Sequence, residues 1–209
     1  MSEVEALANR LRRTTRPLHV RLDAHPLMQC LVAKSLTLDV YGLILRKFYG
    51  LYATFEEHLA TRIDWTSLQI DFGKRRKAPL LERDLIALGV DPNAVERCLP
   101  LPLWSPSQGM GCFYVLEGAT LGGQIISRNI ALRLGLSIET GAAFFASYGS
   151  NVGMMWRGTL DALAQHEQRH QSDSEAVVGG ACATFLAFAE WLDAVEDGSL
   201  KDQEALAIY

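Results

Sequence analysis

Apolar residues return at helical spacing along almost the whole chain, and no convincing stretch alternates at the two-residue period of a strand. Leu7, Leu11, Leu18 and Leu22 form one series; Leu43, Phe48, Leu51, Tyr52, Phe55 and Leu59 form a second; Leu80, Leu81, Leu85 and Leu88 form a third. Such spacing gathers side chains on one helix face, so the expected fold is all-α with about seven or eight helices. Breaks are expected at Ser35-Leu-Thr-Leu-Asp, Gly89-Val-Asp-Pro, Leu99-Pro-Leu-Pro, Leu134-Gly-Leu and Gln168-Arg-His-Gln-Ser-Asp-Ser, where turn and capping residues cluster. A last amphipathic helix is expected over Ala181–Val195. With 209 residues, no repeats and no linker, the chain reads as a single domain over residues 1–198 with a polar tail over 199–209.

The formal charge of −4 and the scattered basic residues argue against a nucleic-acid partner. The start, Met1-Ser-Glu-Val-Glu-Ala, is acidic where a signal peptide would be basic, and no apolar run is expected to cross a bilayer. A cytoplasmic location with no membrane partner follows. Cys30, Cys98, Cys112 and Cys182 are far apart and form no C-x-x-C pair, so they read as buried free thiols. The absence of C-x-x-C-H also argues against a covalently attached heme.

Two places resist simple helical reading. Pro17 either kinks the first helix or sits in the first turn of one capped by Thr14 or Thr15. The stretch Phe113–Ile130 has helical spacing but contains Gly118, Gly122 and Gly123, each costing a helix about 0.8–1 kcal/mol relative to alanine. At about 100° per residue the three open one face. That bare face serves either close packing against another helix or a flat ligand lying against the backbone.

A planar, apolar ligand with a metal centre would need an axial ligand from the opposite side. Of the five histidines, His25 before Pro26, His58 after Glu56-Glu57, and His166 and His170 in a polar stretch all read as surface residues. His19 lies at the edge of the Leu18/Leu22 stripe, one turn before Asp23, whose carboxylate is placed to accept the imidazole's second N–H. Arg12 and Arg16 precede it on a similar side of the helix, where they could pair with ligand carboxylates.

Three segments, Leu11-Arg-Arg-Thr-Thr-Arg-Pro-Leu-His-Val-Arg-Leu-Asp23, Arg75-Arg-Lys-Ala-Pro-Leu-Leu-Glu-Arg-Asp-Leu-Ile-Ala-Leu-Gly89 and Tyr114-Val-Leu-Glu-Gly-Ala-Thr-Leu-Gly-Gly-Gln124, occur in order. Together they resemble the biliverdin-producing heme oxygenases, most closely the bacterial type associated with bacteriophytochromes. Gly153-Met-Met-Trp-Arg157 is a weaker echo, and Phe185–Leu192 fits the family's last helix. The resemblance implies an all-helical fold with heme, both cofactor and substrate, held between a proximal and a distal helix. It implies His19 as the iron ligand, Gly118 and Gly122 as the distal glycines, and Arg12 and Arg16 near the propionates. It extends the expected heme contacts to Thr15, Asp23, Tyr114, Leu121 and Gly123. The implied reaction opens the ring to biliverdin with O2 and releases CO and ferrous iron. A separate electron donor, a reductase or ferredoxin, is expected because the chain has no G-x-G-x-x-G fingerprint, and a bacteriophytochrome is a candidate acceptor of the product.

The sequence departs from the animal pattern twice. Ala119 stands where animal members carry an aspartate that organises distal water, which leaves Thr120, Gln124 or backbone carbonyls as anchors. Thr184–Val195 has no lysine or arginine for a propionate. Two alternatives are kept: a heme-binding or storage protein without turnover, and a di-metal oxidase, for which only Glu167-Gln-Arg-His170 supplies an E-x-x-H pair.

Overall fold

Cap residues set several of the helix boundaries in the computed structural model, which describes residues 6–101 and 105–194. The eight α-helices among these residues are α1 (Leu7–Asp23), α2 (Pro26–Val32), α3 (Leu38–Arg62), α4 (Ala78–Ala87), α5 (Pro106–Leu134), α6 (Ala143–Ala146), α7 (Val152–Arg169) and α8 (Ser174–Asp193). No strand occurs among them. Thr37 caps α3 through Val40 N–H, and Ser105 and Gln108 form a capping box at the start of α5, with Pro106 in its first turn. Gly135, at φ 67°, ends α5 in the left-handed conformation that glycine adopts without steric cost. The expected tail over 199–209 lies outside the described residues.

The long helix α5 runs through the middle and packs along α8, which in turn carries α1. Gly111 and Gly180 allow that contact: a Cβ on Gly111 would strike the Val177 carbonyl, and one on Gly180 would strike the Gln108 carbonyl. The backbones therefore touch. Met110, Cys112 and Ile130 of α5 and Val177, Ala181 and Leu192 of α8 are fully buried in the core. On the other side of the core, Phe48 and Tyr52 of α3 meet Phe144 edge-on, at ring-centroid distances of 5.6 and 5.1 Å.

One open alternative is resolved and several sequence expectations are corrected. Pro17 lies inside α1, which starts at Leu7, and Thr15 spends its hydroxyl on the Leu11 carbonyl (2.8 Å) instead of capping a new helix. The last helix begins at Ser174, about two turns before the expected Ala181, because Gly179-Gly180 hides the apolar period there. The region Gln171–Asp193 is also long and apolar enough, at mean hydropathy 1.3, to pass as a membrane span by length and composition, contrary to expectation. It is a core helix here, packed on α5 and α1. Of the four free cysteines, only Cys98 and Cys112 are buried.

Three of the supposed surface histidines have partners in the fold. His25 caps α2 through Leu27 N–H and reaches Asp193 at 3.2 Å. His58 reaches the Thr54 carbonyl, also at 3.2 Å. His166 is 6% exposed, with Nε2 3.0 Å from the Ser107 hydroxyl. The Glu56-Glu57 face is not fully solvated either: Glu56 is buried and accepts the N–H groups of Lys77 and Ala78 at the start of α4.

Candidate heme site

Between α1 and α5 lies a cavity of about 810 Å³, within the ~300–1,000 Å³ usual for ligand clefts. All ten residues singled out from the sequence line it: Arg12, Thr15, Arg16, His19, Asp23, Tyr114, Gly118, Leu121, Gly122 and Gly123. The α1 register explains one side. Arg12, Arg16, His19 and Asp23 recur three or four residues apart, on the edge of α1 beside its buried Leu11/Leu22 stripe.

His19 Nδ1 lies 2.8 Å from Asp23 Oδ2, and its ring meets Phe185 of α8 edge-on at 5.7 Å. With Nδ1–H given to the carboxylate, the lone pair sits on Nε2, the form in which imidazole binds a metal. The donor set therefore fits a single axial bond to heme iron. Among the described residues no group of three or more His, Cys, Asp or Glu could hold a metal ion, and Glu167 accepts the Leu7 N–H (3.4 Å), so the di-metal reading finds no ligand cluster.

The glycines of α5 divide by task. A Cβ on Gly122 would meet nothing within 4 Å, and one on Gly118 would meet only the Trp156 ring at 3.6 Å. A Cβ on Gly123 would lie 2.6 Å from the Phe145 carbonyl. Both explanations of the bare face thus hold at different residues: Gly122 leaves open space, a Cβ on Gly118 would just touch the Trp156 ring, and Gly123 serves backbone packing. Asp84 of α4 fixes that packing by accepting the N–H groups of Ala143 and Phe144, each at 2.8 Å, which seats Phe144 and Phe145 in the cavity wall. Burial raises the Asp84 pKa, and these two N–H groups pull it back.

The α5 wall also contains residues to which the sequence reading gave no task. Behind Gly118, the buried Glu117 accepts from Arg75 (2.6 Å), Lys77 (2.8 Å) and Tyr148 (2.7 Å). Lys77 lines the cavity, and burial lowers its pKa against the raising pull of Glu117. Burial and Glu117 together raise the Tyr148 pKa. One signal was present: Glu117 interrupts the apolar run Phe113–Leu116, where a charge must be paired to be buried. Of the proposed water anchors, Thr120 lines the cavity but donates its hydroxyl proton to the Glu117 carbonyl (2.7 Å). Gln124 is exposed and lies outside the lining, reaching the Gly149 carbonyl at 3.4 Å. Phe185 and Phe188 are what α8 contributes.

The heme oxygenase family model matches residues 5–194. A heme oxygenase of Xanthomonas campestris is 32% identical over 167 residues, covering 78% of this chain and 94% of that protein. The chain belongs to the heme oxygenase family. Solved heme oxygenases share its fold at low identity. The enzyme from Neisseria meningitidis, solved with NO and CO bound, superposes with a TM-score of 0.74 at 19% identity, over 93% of this chain and 96% of its own. Heme oxygenase-1 of a Synechocystis cyanobacterium, in complex with heme, gives 0.74 at 16% identity, over 97% and 98%. As a heme oxygenase, this protein degrades heme, and biliverdin is the product that follows from the family.

Proposed function

We propose that heme binds in the cavity with its iron on His19 Nε2 and its other face toward Gly118 and Gly122. The observation that carries this is one imidazole on α1, oriented by Asp23, sharing the cavity with two glycines of α5, Gly122 with open space where a side chain would be and Gly118 with only the Trp156 ring within reach. When bound, heme supplies both the iron at which O2 is reduced and the porphyrin carbon that is oxidised. Asp23 holds the His19 tautomer, and a neutral imidazole lacks the electron push of a thiolate toward O–O cleavage. Gly118 and Gly122 leave room for O2 beside the ring. Phe144, Phe145, Phe185 and Phe188 keep the surroundings apolar. Arg12 and Arg16, exposed on the lining, take the propionates.

Electrons come from a separate reductase or ferredoxin. The four free cysteines fit a reducing cytoplasm. A bacteriophytochrome as acceptor of biliverdin rests on the sequence resemblance alone. The test is aerobic turnover of one equivalent of heme with a reductant and catalase, with the pigment identified by chromatography. One biliverdin isomer from the wild-type protein, and loss of the heme ligation spectrum in His19→Ala, are expected. A wild-type spectrum in His19→Ala would remove His19 from the role. Stable heme that never turns over would favour a storage protein.

A further inference from the structure

Lys77 is a buried ammonium in the wall of the cavity, with 2% of its side chain exposed. Its Nζ lies 2.5 Å from the Arg75 carbonyl, 2.8 Å from Glu117 Oε1 and 2.6 Å from the Tyr148 hydroxyl. An ammonium has three protons, so all of them are committed within the protein. The Tyr148 hydroxyl donates a hydrogen bond to Glu117 Oε1 at 2.7 Å, and the second Glu117 oxygen accepts from Arg75 at 2.6 Å and from Thr159 at 3.4 Å. From α3, Glu56 accepts the Lys77 backbone N–H at 2.5 Å, with Arg76 3.6 Å away. Each buried charge has a partner, and none of these bonds points a proton into the cavity.

We infer that Lys77 is a fixed positive charge on the α5 side of the heme pocket, clamped by Glu117, Tyr148 and the Arg75 carbonyl so that it acts through its field and not as a proton donor. The inference rests on the reading that places heme between His19 and the glycines of α5. Heme degradation delivers electrons into a pocket whose aromatic walls give a low local dielectric, where uncompensated negative charge is costly and a preorganised positive charge is effective. On the α5 side, Ala119 and the glycines carry no charge. A mobile ammonium there would instead bring an acidic N–H to activated oxygen and favour O–O cleavage over attack on the ring. The clamp keeps the charge and withholds the proton.

The experiment is a spectroelectrochemical measurement of the ferric–ferrous midpoint potential of the full-length protein with one equivalent of heme. It is made at mildly acidic pH, so that loss of the carboxylate does not discharge Lys77. Lys77→Met is expected to lower the potential, Glu117→Gln to raise it, and Lys77→Arg to return it toward the wild-type value. A purely structural role would not give opposite signs. Wild-type values in both Lys77→Met and Glu117→Gln, or shifts of the same sign, would overturn the inference. If Lys77→Met does not fold, Glu117→Gln decides alone, and an unchanged or lowered potential there overturns it. A wild-type protein that takes up no heme would instead sink the heme-site reading itself, so the two failures are distinguishable.

Discussion

His19 and Asp23 are bonded at 2.8 Å across one turn of α1, and both side chains are more than half exposed, so their pairing costs little burial and directs the ring nitrogens. Asp23→Ala is expected to leave the fold intact and to weaken heme binding by about 10–100-fold, the usual loss when a ligand histidine is deprived of its carboxylate. Absorbance titration with heme, compared with the unfolding midpoint of the heme-free protein, checks both halves. Unchanged affinity would show that the carboxylate does not set the ligand.

Gly122 and Gly123 are neighbours with opposite expected phenotypes. Gly122→Ala adds a methyl where nothing lies within 4 Å, so the heme-free protein should gain up to about 1 kcal/mol from helix propensity. Heme turnover should fall as the clearance closes. Gly123→Ala presses on the Phe145 carbonyl and should cost the heme-free fold about 1–3 kcal/mol. Denaturant unfolding of the two variants separates these effects. Equal destabilisation would refute the division of tasks.

Asp84→Ala should strand the buried N–H groups of Ala143 and Phe144, at about 1–3 kcal/mol for each unsatisfied group. Because those bonds seat Phe144 and Phe145, heme affinity should fall as well. Chemical denaturation alongside heme titration tests this, and a drop in stability with unaltered affinity would detach α6 from the pocket.

The all-α class and some helix ends were legible because period and capping act locally: Thr37 starts α3 and Gly135 stops α5 at two of the expected breaks. The ten residues singled out by spacing on two helices and by the family resemblance all line one cavity, which is the part of that reading the fold displays. Illegible were features made by partners distant in sequence. Glu56 reads as half of an acidic surface pair until α4 arrives over it, and His166 reads as polar-loop chemistry until Ser107 reaches it. Gly123 looked like its neighbour Gly122, and only the path of residues 143–147 tells them apart.

Acid should weaken the corner where α5, α7 and α8 meet. Burial and the neighbouring His170 hold the His166 pKa below its ordinary value, so the folded state favours the neutral ring. That stabilisation is complete above the unfolded value of about 6.5 and is lost as pH falls from there through the lowered folded value. Asp173, held low by hydrogen bonds from Ser172 and Ser107, releases its share only at still lower pH. Thermal unfolding across pH should show a slope in the first window that flattens in His166→Gln. Parallel slopes would assign the acid sensitivity elsewhere.

The glycine crossing of α5 and α8 makes pocket width an inherited quantity. Phe185 and Phe188 enter the cavity from a helix whose height is set at Gly111 and Gly180, neither of which lines it. A larger residue at either crossing position would meet backbone and could be housed only by forcing the two helices apart, at a cost to the fold, which would move a whole wall without altering its chemistry. With glycine at both positions and the backbones in touch, the chamber already stands at its narrowest, and any edit at the crossing can only widen it while leaving its surface untouched.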